Sequence, residues 1–208
     1  MKSEFDCHAV DLPGYGEEAP IHYFTLFNVA THLYETYLKG EKWILVCHSM
    51  GGYVGLTVAE YYGEVVEGII LVHSHPLSDD PERRLGRKAS LSRVDENMQS
   101  FIEESLRRVS DLPPDKLKRY VECFSPEIIK QSIMAMAERP DRTHLLARFP
   151  VAIVHGIKDT FLPFERVLAL KDRYPSLKIH KIEGCHMSMI ENTRELIEII
   201  KGFVGELK

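Results

Sequence analysis

An α/β fold, a mostly parallel sheet of about five strands with flanking helices, is predicted by two features of this 208-residue sequence. Short apolar runs rich in β-branched residues alternate with segments of helical periodicity, and glycine or proline punctuates the junctions. Alternation of this kind builds parallel strands joined by crossover helices that cover the sheet. The strand candidates are residues 5–10, 43–47, 68–73, 151–155 and 177–182. Between the first two, Leu26, Phe27, Ala30, Leu33, Tyr34, Tyr37 and Leu38 recur at helical spacing, and Gly40 closes the pattern. Residues 50–62 read as a helix ending near Gly63, and residues 164–174 as one stopped by Pro175. Asn192 and Glu195 have capping-box spacing ahead of Leu196, Ile199, Ile200, Phe203 and Val204, which share one helical face.

The stretch from Pro76 to Pro140 breaks the alternation, with several helix starts and no strand pattern. Ser92 with Asp95 opens a helix toward Val109, and Ser125-Pro126-Glu127 is an N-cap followed by proline at the first helical position. Residues 76–140 are therefore expected to be a helical insertion between the third and fourth strand candidates, set into a core made of residues 1–75 and 141–208.

Composition narrows the function classes. A hydrophobic share of 44% and a charged share of 27% are those of a globular chain long enough to bury a core. A formal charge of -5 supplies no electrostatic reason to bind nucleic acid or an anionic membrane, and neither partner is expected. No apolar stretch follows Lys2, so no signal peptide is expected, and no apolar run is long enough for a membrane span. Cys7, Cys47, Cys123 and Cys185 are scattered without metal-ligand spacing, which fits a reducing, cytoplasmic setting.

Chemistry concentrates at strand ends. Cys47-His48-Ser49-Met50-Gly51 lies where the apolar run 43–46 meets the helical pattern of residues 50–62. It reads as a nucleophile elbow, G-x-S-x-G with cysteine for the first glycine, in which small neighbours let a sharp turn push the serine out of the backbone. The structural alternative is a serine N-cap after a buried strand. A serine hydroxyl needs a base and a group that orients that base. His186, in Gly184-Cys185-His186-Met187, follows the last strand candidate, and Asp159, in His155-Gly156-Ile157-Lys158-Asp159, follows the one before. Parallel strands put their carboxyl ends on one edge, so Ser49, Asp159 and His186 can converge there. Asp79 and Asp80, after the preceding strand candidate, are the alternative acids. His48, His73, His75 and His155 lie on three strands without tight ligand spacing or supporting carboxylates, so no metal is expected. His48 and His75 are candidates for lining a substrate pocket. Cys185 is read as packing.

Four motifs in this order carry a resemblance: Asp11-Leu12-Pro13-Gly14-Tyr15-Gly16, His48-Ser49-Met50-Gly51-Gly52, His155-Gly156 with Asp159, and Gly184-Cys185-His186. Through them the chain resembles the serine-dependent, cap-bearing branch of the α/β-hydrolase superfamily. The resemblance implies Ser49 as nucleophile, His186 as general base and then acid, and Asp159 as the orienting carboxylate. It implies the Met50 backbone N–H as an oxyanion-hole donor and a small acyl substrate, and it requires no cofactor. The expected function is hydrolysis of a carboxylic ester or related acyl compound through an acyl-enzyme. The alternatives are a non-catalytic binding protein on the same fold, or a lyase or acyltransferase on the same triad. The chain departs from the family in lacking the early strands and the His-Gly loop that supplies the second oxyanion donor. Residues 5–10 correspond to the family's fourth strand, whose usual neighbour is missing. Either residues 5–10 shift beside residues 43–47, giving five parallel strands, or another chain covers the gap, which makes a homo-oligomer a natural expectation, or the fold is N-terminally truncated in this sequence.

Overall fold

The computed structural model describes residues 4–113, 125–162 and 164–207. Within them lies a four-stranded parallel sheet in sequential order: β1 (Trp43–His48), β2 (Val66–Val72), β3 (Val151–Gly156) and β4 (Lys178–Ile182). The helices that bear on the sheet and its carboxyl edge are α1 (Leu26–Leu33), α2 (Met50–Tyr61), α3 (Pro81–Val109), α4 (Pro126–Ala137), α5 (Phe164–Leu168), α6 (Ser188–Glu191) and α7 (Thr193–Leu207).

The central strands are apolar without interruption because both of their faces are covered. Along β2 and β3 the side chains alternate. Ile69, Leu71 and Ile153 enter one core with Leu56, Val58 and Ala59 of α2, whereas Ile70, Val72, Ala152 and Val154 enter another with Leu196, Ile200, Phe203 and Val204 of α7. The period of two along the strands and of three to four along α7 thus meet in one three-layer arrangement. Gly68 admits α7 to the sheet, since a Cβ there would lie 2.8 Å from Leu207 Cδ1.

Two sequence expectations are corrected. Residues 5–10 form no fifth strand, so the sheet has four among the described residues and β1 is its edge. The segment is held by side chains instead: Phe5 packs on the α7 core, and the His8 ring meets Trp43 edge-on at 5.2 Å. Nor does the first helix of the insertion start at Ser92. It starts at Pro81, where the Asp80 side chain accepts the Arg83 N–H at 2.8 Å, and it kinks at Asn97. The second start is where the residues place it, with Ser125 Oγ accepting the Ile128 N–H at 3.1 Å ahead of α4. α3 and α4 pack through Val94, Ile102, Leu106, Ile129 and Ile133.

The two ends of the inserted segment are tied together by a buried ion cluster. Arg139 donates to Asp79 at 2.7 Å, to the carbonyls of Leu77 and Met136, and lies 4.0 Å over the Tyr53 ring. Arg87 and Arg83 hold the same carboxylate. Among the described residues no helix is long and apolar enough to cross a membrane.

Candidate active site

The parallel sheet delivers four strand ends to one edge, where Ser49, His73, Asp159 and His186 meet. Ser49 follows β1 directly, and its N–H donates to the Val72 carbonyl at 2.9 Å, extending the ladder by one residue before the chain turns into α2. At that turn its backbone is at φ 50° and ψ -118°, a left-handed conformation costly for a residue with a Cβ. The small residues that make room differ from those expected. A Cβ at Gly51 would meet nothing within 4 Å, whereas one at Gly52 would run into Ser74 Oγ and one at Gly55 would lie 2.5 Å from Cys47 Sγ. The cysteine that replaces the motif's first glycine is thus accommodated by a glycine farther along the helix.

Ser49 Oγ–H donates to His186 Nε2 at 2.8 Å, and His186 Nδ1–H donates to Asp159 Oδ2 at 2.8 Å. Asp159 Oδ1 accepts the Phe161 N–H at 2.8 Å. His186 is itself fixed at both backbone groups: its N–H donates to the Val109 carbonyl at the end of α3, and its carbonyl accepts His48 Nε2–H at 2.8 Å. Burial pushes the Asp159 carboxyl up, but hydrogen bonds from His186 and His73 and the Phe161 N–H outweigh it, so the group lies far below the usual carboxylate range. It is a permanent anion opposite the His186 ring. Burial above all pushes His48 down to about 3, so His48 stays neutral while it donates to the loop.

A second imidazole, not expected at this carboxylate, shares it. His73 Nδ1–H donates to Asp159 Oδ2 at 2.8 Å, and Ser188 Oγ–H donates to His73 Nε2 at 2.7 Å. The signal available in the sequence was its place, immediately after β2 at the same sheet edge. His73, Asp159 and His186 have ligand atoms within 4.8 Å of one another, close enough for a metal set in principle. Each imidazole nitrogen facing Asp159 is, however, already directed at the carboxylate at hydrogen-bond length, and the remaining two nitrogens are taken by Ser49 and Ser188.

The alternative acids stand elsewhere: Asp79 is enclosed by arginines, and Asp80 caps α3. Burial pushes the Cys185 thiol up to about 11 and the Cys47 thiol up to about 12, so both remain neutral. A cleft of about 1480 Å³ opens over Ser49 and His186. Its walls include Leu106, Val109, Ile133 and Met136 from the insertion, and it continues along the unpaired edge of β1, opposite residues 8–12. Ile128 of α4 packs toward Gly14 instead. His48 lines the cleft, whereas His75 is 1% exposed and its Nε2 faces the Tyr53 hydroxyl at 3.4 Å. Met50 also lines it and opens α2, where the first N–H groups have no intrahelical acceptor.

The chain is similar to several known proteins. The chain is 36% identical over 76 residues to a pimeloyl-[acyl-carrier protein] methyl ester esterase of Vibrio vulnificus, a match spanning 36% of this chain and 29% of that protein. It is 25% identical over its full length to the protein of the same name from Yersinia pestis, covering 86% of it. Among solved structures, a thermophilic esterase from Thermogutta terrifontis superposes with a TM-score of 0.80 at 26% identity, over 95% of this chain and 78% of that one. Residues 2–199 match the Alpha/beta hydrolase family, and the chain belongs to that family as an α/β-hydrolase enzyme.

Proposed function

We propose that the protein hydrolyses a small carboxylic ester by acyl transfer through Ser49. The observation that carries this reading is the continuous line of hydrogen bonds from Ser49 Oγ through His186 to Asp159, with the serine raised at a strained turn over an open cleft. Ser49 Oγ attacks the ester carbonyl as His186 Nε2 takes its proton. The tetrahedral intermediate collapses as His186 returns the proton to the leaving alkoxide, and water then repeats the sequence to release the acid. Asp159 keeps Nδ1 protonated and stabilises the imidazolium that forms. The Met50 N–H, free of any intrahelical acceptor, is suited to hold the oxyanion. The relatives named for ester hydrolysis support the reaction class. Helices α3 and α4 serve as a lid whose apolar side chains meet the acyl group.

Hydrolysis of an activated ester such as p-nitrophenyl acetate is expected, abolished in Ser49→Ala. A fluorophosphonate probe should label the wild type and not that variant. Labelling of Ser49→Ala, or none of the wild type, defeats the proposal, and the latter result favours a binding protein on the same fold. Free Cys7, Cys47 and Cys185 suit a reducing compartment.

A further inference from the structure

We propose that His73 is a positioning residue of this site: a second imidazole that clamps Asp159 and thereby sets the orientation and basicity of His186. The inference rests on the hydrolase reading of Ser49. A serine triad needs one imidazole on its carboxylate. Here Asp159, whose side chain has no exposure, accepts two on the same oxygen, each at 2.8 Å, with the Phe161 N–H on the other. The three donors come from three separate loops, after β2, β3 and β4, so the plane of the carboxylate is fixed from three directions.

Three observations separate this arrangement from simple filling of a buried space. His73 is held at φ 51°, a conformation that costs a non-glycine residue about 1 kcal/mol or more and persists where the surroundings impose it. Gly156 on β3 leaves the room its ring occupies, since a Cβ there would lie 2.8 Å from His73 Cε1. Ser188, wholly buried at the start of α6, donates to Nε2 and so reserves the ring's proton for Nδ1, the nitrogen facing Asp159. An apolar ring could fill the same volume without any of these polar commitments.

The consequence is electrostatic as well as geometric. A second donor on Oδ2 withdraws charge that would otherwise stabilise the His186 imidazolium, so His73 lowers the basicity of His186 while fixing its aim. The other ionisable groups around the cluster are His48 on β1 and His155 on β3, both pushed toward the neutral form by burial, and Arg83 of α3, which donates to the Phe161 carbonyl.

The test uses His73→Ala, His73→Asn and Ser188→Ala, with fluorophosphonate labelling and the pH dependence of kcat/KM on p-nitrophenyl acetate as readouts. Asparagine tolerates positive φ and presents Nδ2 where histidine presents Nδ1. His73→Ala is expected to slow labelling by about 10- to 100-fold and to raise the acidic limb of the pH profile by about 0.5 unit or more. His73→Asn should restore both, and Ser188→Ala, which leaves the ring in place but frees it to turn, should show a smaller change in the same directions. If His73→Ala does not fold, the Asn and Ser188 variants still decide. A labelled wild type whose rate and acidic limb are matched by His73→Ala or by Ser188→Ala, or a His73→Asn variant slowed by about 10-fold or more, overturns the proposal in favour of packing alone. A wild type that is neither labelled nor active overturns the triad reading, and this inference with it.

Discussion

Ser49 stands at φ 50°, and the cost of that conformation is borne by the whole fold for the sake of one hydroxyl. Glycine adopts this region without penalty, so Ser49→Gly should raise stability by about 1 kcal/mol while abolishing esterase activity, whereas Ser49→Ala should abolish activity without the gain. Chemical denaturation of the two variants beside the wild type measures the difference. Ser49, His186 and Asp159, which the fold brings into one hydrogen-bonded line, were legible in the sequence because each lies just past an apolar run at a predicted strand end. His73 shares that position, but nothing in the local pattern of residues 68–75 distinguishes a carboxylate partner from an ordinary polar residue at the end of a buried strand.

At the scale of elements, β1 and α2 lock together through a pair that the motif alone hides. In Gly55→Ala the new Cβ would stand 2.5 Å from Cys47 Sγ, but 3.5 Å, an ordinary contact, from Cys47 Cβ. Gly55→Ala should therefore cost about 1–3 kcal/mol, and adding Cys47→Ala should recover most of that loss, a coupling read from the thermal unfolding of the four proteins. The insertion is anchored by Arg139, which joins its first residues to its last through Asp79, Leu77 and Met136. Burial pushes the Asp79 carboxyl up, but Arg139 and Arg87 outweigh it, and the group remains ionised. Arg139→Ala, which strips a buried partner from Asp79, should destabilise by about 3 kcal/mol, measurable by urea unfolding. The buried strands were legible because two covered faces demand unbroken apolar runs. Residues 5–10 have a strand-like pattern too, but a strand exists only where a partner's backbone is in reach, and none pairs with that segment among the described residues.

For the whole molecule, stability should depend on pH through histidines buried in the neutral form. His75 is held well below its ordinary value, first by burial and then by Arg139 and Arg83, and burial lowers His155 as well. Between those lowered values and about pH 6.5 the unfolded chain binds protons that the native state refuses, so stability falls as pH drops below about 6.5. The expected slope is about 1.4 kcal/mol per pH unit for each such histidine, and His75→Gln should flatten the profile by one proton's worth in urea titrations between about pH 7.5 and 5.5. Asp159 acts with the same sign at much lower pH, since its depressed value contributes stability above about pH 3.9 that is lost only in strong acid.

The amino-acid order by itself determined the α/β class, the parallel strands and the placing of Ser49, Asp159 and His186 at strand ends, because these follow from short-range periodicity and from the rule that parallel strand ends share an edge, and its motifs carried the resemblance to the family. Only the tertiary structure decided which groups meet across that edge. His73 and Asp159 are 86 residues apart and Arg139 and Asp79 are 60 apart, and each contact depends on strand register and ring orientation. No local pattern encodes that apposition: it is set when two covered sheet faces, a strained serine turn and the close approaches at Gly52, Gly55, Gly68 and Gly156 are satisfied at once.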